Sequence, residues 1–71
     1  MSSIHSKDYR LMIERLRKAR IASGFTQLQA AVALNKPQSF ISKVENHQRR
    51  IDVLELKDFA KIYKIDVSKL L

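Results

Sequence analysis

The chain has no cysteine and no tryptophan, and its 71 residues include only one glycine and one proline. Without cysteine there is neither a disulfide framework nor a thiolate metal site, and two isolated histidines, His5 and His47, are too few for a zinc site of the usual kind. No metal and no cofactor are therefore expected. So little glycine and proline leaves few turns and disfavours an all-β design. No apolar run approaches the roughly 18 to 20 residues needed to span a bilayer, and the opening MSSIHSKDYR lacks the apolar stretch of a signal peptide. A cytoplasmic chain without membrane contact is the expectation. Paired acids, a nucleophile beside a base and a phosphate-cradling glycine loop are all missing, which argues against an enzyme.

What is present is 45% hydrophobic residues and a large excess of base. A chain this short lies near the lower limit for a self-sufficient core, so the fold must rest on packed helices: all-α, in one domain spanning 1–71. Fourteen Lys and Arg against seven Asp and Glu give a formal net charge of +7, which points toward a polyanion. Position sharpens this. The stretch 7–20 carries Lys7, Arg10, Arg15, Arg17, Lys18 and Arg20 against Asp8 and Glu14, and 36–50 carries Lys36, Lys43, Arg49 and Arg50 against Glu45 alone. From Ile51 onward acids and bases balance. A surface charged merely for solubility has no need of that asymmetry.

Residues 1–6, with His5, read as a flexible tail. Ser6 can also cap a first helix that has Asp8 in its first turn, in which Tyr9, Met12, Ile13, Leu16 and Ala19 recur at steps of three and four. It should stop near Ser23 and Gly24. Thr26-Gln27-Leu28-Gln29 has capping-box spacing and opens a second helix of about two turns that carries no charge. Asn35 and Lys36-Pro37 break the chain, and a third helix runs from about Gln38 to Glu45 or Asn46 with Ile41 and Val44 inward. Stepping 100° per residue puts Lys36, Ser39, Lys43 and Asn46 on its other side, flanked by Ser42. Asp52 and Glu55 form a second capping box, followed by Val53, Leu56, Phe59, Ala60 and Tyr63 at helical period. Asp66 can cap a last short turn that holds Val67, Leu70 and Leu71 and counts as the fifth helix.

A helix, a turn of about three residues and a second helix make a helix-turn-helix. Through Arg20, Gly24-Phe25-Thr26-Gln27, Ala31, Leu34, Ile41-Ser42-Lys43, Glu45-Asn46, Leu54, Leu56, Ala60 and Ile65, the sequence resembles the phage repressor and Cro-like, or XRE-type, helix-turn-helix family. The resemblance covers residues 10–71. It implies a compact five-helix, lambda-repressor-like bundle and double-stranded DNA as ligand. Carried over, it places Pro37, Gln38, Ser39, Phe40 and Lys43 where the family reads bases. It places Gln27, Lys36, Asn46, His47, Gln48, Arg49 and Arg50 on the DNA backbone, and pairs Arg20 with Glu45 as a structural link. Residue chemistry agrees: Gln can bond adenine twice, Lys can donate to guanine, and Ser to either. Family glycines after the second, third and fourth helices are here Asn35, His47 and Lys64. Asn and His tolerate positive φ, whereas Lys64 implies strain or a different turn.

Some of these residues also have plainer uses. Phe40 lies beside Val44 on the wheel, and packing is favoured for it over contact with a thymine methyl. The bases of the first helix read as a solvated face, although Arg10 and Arg17 can reach a phosphate. His47 reads as a helix terminator. Leu28, Val32, Leu70 and Leu71 are an apolar surplus of the kind that marks a partner surface, here for a homodimer on a pseudo-palindromic operator. The function expected is a sequence-specific transcriptional regulator, a repressor acting by promoter occupancy. The alternative is an antitoxin or adaptor on the same scaffold, with a protein as its main partner and DNA secondary.

Overall fold

Helices begin in this chain where a side chain can take over a backbone N–H that the helix leaves unpaired. The computed structural model describes residues 6–71. Helix α1, Lys7–Ala22, starts at Ser6, whose hydroxyl accepts from the Tyr9 N–H at 3.2 Å. The rest of the expected tail, His5 included, lies outside the described residues. Helix α2, Gln27–Leu34, opens on the complete Thr26/Gln29 capping box, and α4, Val53–Ile62, on the complete Asp52/Glu55 box. Helix α3, Gln38–Glu45, differs: Pro37 precedes it and supplies no side-chain cap. After Asp66, whose carboxylate accepts from the Ser68 N–H at 2.8 Å, the chain makes only the 3-10 turn Val67–Lys69. Among the described residues the bundle thus has four α-helices and a terminal turn where a fifth helix is expected, the turn closing on the tighter bonds from Lys69 N–H to the Asp66 carbonyl and from Leu70 N–H to that of Val67.

All four helices end alike. Gly24, Asn35, His47 and Lys64 each take a left-handed conformation, with φ of 79°, 57°, 60° and 56°. Around each, two N–H groups turn back onto the last carbonyls: Phe25 to Arg20, Lys36 to Ala31, Gln48 to Lys43 and Ile65 to Ala60 close the wider loops. The sequence thus meets the same backbone demand with Gly, Asn, His and Lys in turn. Helix α4 ends at Ile62 and is capped by Tyr63, and Lys64 then takes the left-handed position of the same turn.

Leu16, Ile41 and Val44 are wholly buried, with Ile13, Phe59 and Leu70 at 1% exposure. Tyr9, Ala30, Ala31, Phe40, Ile51, Leu56, Ala60 and Tyr63 complete the core. Phe59 is its aromatic centre, stacked on Phe40 and tilted against Tyr63 at 5.9 Å each. Two expectations are corrected here. Leu70 belongs to the core and offers no partner surface, while neighbouring Leu71 stays 70% exposed. The 3-10 turn brings Leu70 back over the bundle, and Arg15 Nη1 fixes the chain there by donating to the Leu71 carbonyl at 2.7 Å. Val53, inward by periodicity, is 68% exposed. It is the first residue of α4, where the Cα–Cβ bond leans back off the start of the helix. No helix among the described residues is long and apolar enough to cross a membrane.

A non-glycine residue at left-handed φ costs about 1–2 kcal/mol, which glycine avoids at some loss of chain entropy. Lys64→Gly is therefore expected to raise the unfolding free energy by about 0.5–1 kcal/mol, read as a higher urea midpoint at unchanged m-value. An unchanged or lower midpoint would show that Lys64 is held by something other than this turn.

Candidate nucleic-acid interface

Asn35 ends α2 in the left-handed region and Pro37 is extended, with φ −69° and ψ 154°, so the chain turns sharply and α3 leaves at an angle to α2. One face of α3 is buried through Phe40, Ile41, Val44 and Glu45. The other exposes Gln38, Ser39 and Lys43, with Ser42 half-buried between them. Lys36 and Pro37 extend this face before the helix, and Asn46 after it. Beyond Asn46 the loop 46–52 leads to α4, with Gln48 and Arg50 exposed and His47 and Arg49 half-buried. The expected polar stripe is thus a continuous surface, framed by Lys36 on one side and by a basic loop on the other.

A buried ion pair stands behind it. Arg20 Nε donates to Glu45 Oε2 at 2.7 Å and Nη2 to Oε1 at 3.1 Å, with side-chain exposures of 10% and 3%. Arg20 Nη1 donates to the Phe25 carbonyl at 2.8 Å, and Gln27 Nε2 to Glu45 Oε1 at 3.1 Å. One carboxylate therefore joins α1, α2 and α3. Breaking such a pair by removing one partner costs far more than the pair contributes relative to an apolar replacement, because the survivor is left charged and buried.

The structure revises several of the expected roles. Phe40 does not face outward to read bases: it is 8% exposed, stacked on Phe59 with an interplanar angle of 10°. Gln27 is partly committed inward to Glu45, and its second amide hydrogen remains for an outside acceptor. His47 terminates α3 at positive φ, with its Nδ1 buried and unpartnered among the described residues. Arg49 does not point freely toward a phosphate. Its Nη1 and Nη2 donate to Glu55 Oε1 and Oε2, both at 3.0 Å, and its guanidinium lies 4.6 Å from the Phe40 ring centroid. Arg50 lies over the Tyr9 ring at 5.4 Å.

Glu55 and Tyr9 are the members of this region that the sequence hides. Glu55 is already explained by the capping box, so nothing signals its second use as the partner of Arg49. Tyr9 looks like one more core residue, yet its hydroxyl accepts from the Ile51 N–H at 3.1 Å and pins the end of the loop to α1. The only hint is a tyrosine where phenylalanine would fill the same space. Among the described residues no group of acids and histidines is placed to hold a metal ion.

A helix-turn-helix family model matches residues 16–70. Among solved structures, an XRE-family like protein from Pseudomonas syringae pv. tomato is similar, with a TM-score of 0.87 and 43% identity, over 94% of this chain and 82% of that one. No curated protein sequence matches the chain.

Two measurements follow from the ion pairs. Glu45→Ala is expected to cost about 3–5 kcal/mol in urea unfolding, and Arg20→Met with Glu45→Met together much less than the single change; additive losses would show that the pair is not coupled. The Arg49 guanidinium, followed by the Asp52 N–H, holds the Glu55 carboxyl below the usual glutamate range. A group with a depressed folded pKa contributes stability above its unfolded pKa and loses it as pH falls through the folded value. Acid unfolding profiles of the protein and of Glu55→Gln should therefore converge as pH drops below the ordinary glutamate range, and parallel profiles would contradict the pairing.

Proposed function

Because the chain belongs to the XRE-type helix-turn-helix family of DNA-binding transcription regulators, we propose that it is a sequence-specific repressor that occupies a promoter with α3 in the major groove. The observation that supports this most directly is the outer face of α3. Gln38, Ser39 and Lys43 are exposed together on a helix whose other face is fully occupied by the core. Hydrogen-bonding groups of these types match base edges: Gln the N6 and N7 of adenine, Lys the O6 and N7 of guanine, Ser either. Pro37 stands at the entry to the helix, where it shapes the approach to the groove. Lys36, Asn46, Gln48 and Arg50, with the outer amide hydrogen of Gln27, frame the face and suit phosphates, which set register and affinity without reading sequence. His47 stands in the same loop and presents the backbone of a left-handed turn.

One module of this size makes few base contacts, so the repressor acts as a homodimer on a pseudo-palindromic operator. Leu28 and Val32 on α2, 56% and 72% exposed, are apolar side chains that the core leaves uncovered on the helix preceding the reading helix. They also favour the second reading, an antitoxin or adaptor that binds a protein through α2 while DNA binding is secondary. Replacing both by Gln tests the two: loss of dimerisation on the operator in light scattering supports the first, while DNA binding spared with loss of a protein partner supports the second.

Selection of bound duplexes from a random library should enrich a two-fold-symmetric motif with half-site centres about one helical turn apart. Recovery of unselected DNA would leave charge-driven binding alone and defeat the repressor reading. On the enriched duplex, Lys43→Ala should relax preference at one base position per half-site, at about 1–3 kcal/mol, while Arg50→Ala weakens binding to every sequence and lowers the salt slope by about one unit. Equal losses on operator and random DNA from both variants would reverse these assignments.

A further inference from the structure

The loop 46–52 carries Arg49 and Arg50 beside the proposed DNA surface, and the charge of Arg49 is matched inside the protein by Glu55. Arg49 presents its guanidinium fork to both oxygens of Glu55 at 3.0 Å and donates from Nη1 to the Arg50 carbonyl at the same distance. Its guanidinium carbon lies over the Phe40 ring, 4.6 Å from the centroid. Phe40 belongs to α3 and rests on Phe59 of α4. Glu55, in the first turn of α4, also accepts from the Asp52 N–H through Oε1 at 3.0 Å. A single side chain thus touches the reading helix, the loop and the helix that follows.

We propose that Arg49 is a positioning residue for sequence recognition and not a phosphate ligand. It clamps the loop onto α3 and α4, so that Gln48, Arg50 and the outer face of α3 meet the duplex as one rigid surface. This rests on the DNA-binding reading above. To turn its two-pronged fork to a phosphate, Arg49 must release two charge-assisted hydrogen bonds and an aromatic face, which leaves the Glu55 carboxylate beside the DNA. The partial exposure of the pair, 41% for Arg49 and 17% for Glu55, makes its contribution to overall stability small. What the clamp fixes is geometry: a guanidinium forked onto Glu55 and lying over the Phe40 ring makes contacts that a lysine ammonium cannot reproduce together.

Lysine is therefore the discriminating substitution, since it keeps the charge that neutralises a phosphate and loses the fork. The experiment measures R49K, R49Q, E55Q and R50Q against the duplex enriched from a random library and against a random-sequence duplex, over a range of salt. Circular dichroism confirms that each variant is folded at the assay temperature. Nuclear magnetic resonance follows the Glu55 carboxyl through its titration without DNA. The clamp predicts that R49K and E55Q each lose about tenfold in preference for the enriched duplex, the size of one mismatched base pair. It predicts an unchanged salt slope in R49Q and a slope lower by about 0.9 in R50Q. The Glu55 titration should move up toward the ordinary glutamate range in R49K. Full preference in R49K, a slope lower by about 0.9 in R49Q, or tighter binding to all DNA in E55Q would make Arg49 a phosphate ligand and overturn the proposal. If the unmodified protein enriches no duplex at all, the DNA reading fails and this role fails with it. That result is distinct from failure of the clamp alone, in which a motif is enriched and R49K retains it.

Discussion

The Glu45 carboxylate is the point on which the arrangement of α1, α2 and α3 depends. It accepts two bonds from Arg20 and one from Gln27, while the remaining Arg20 nitrogen is satisfied by the Phe25 carbonyl. A charge this deep is tolerated only when its partners are in place, so the helices can pack closely in just one mutual arrangement. Apolar contacts elsewhere in the core are adaptable by comparison, since leucine and isoleucine accept small shifts. The net stabilisation from such a pair is small, and the constraint on geometry is large.

That constraint sets the outward face of α3. Ile41 and Val44 bury the helix from beneath, Glu45 fixes its last turn, and Phe40 fixes its first through Phe59. With its inner side determined at both ends, the directions of Gln38, Ser39 and Lys43 follow from helical periodicity alone. The basic loop is secured separately, by Tyr9 at Ile51 and by Glu55 at Arg49. Polar groups on the surface are thus oriented by polar groups beneath it.

Local chemistry made much of this legible in the sequence. Ser6, Thr26, Asp52 and Asp66 announce helix starts because a cap needs only a side chain and an N–H a few residues away. Both the Arg20–Glu45 pair and the buried face of α3 could be expected, the first from family resemblance and the second from period. What escaped depends on tertiary placement. Leu70 and Leu71 are identical in type, and only the path of the final turn decides which is covered. Val53 fits the period of α4 but, in its first turn, stays 68% exposed among the described residues. Arg49 looks in sequence like any loop cation, and its engagement with Glu55 and Phe40 appears only once α3 and α4 are brought together.

The helices are short and joined by the brief segments 23–26, 35–37 and 46–52. Each left-handed stop turns the chain back onto the helix it has just completed, so packing partners are close in sequence. Topologies dominated by such local contacts fold in about microseconds to milliseconds, because little loop entropy is lost before contacts form. For a regulator, this removes folding as a source of delay. A chain that acts by binding can then do so within about milliseconds of its release, so that folding adds no lag of its own.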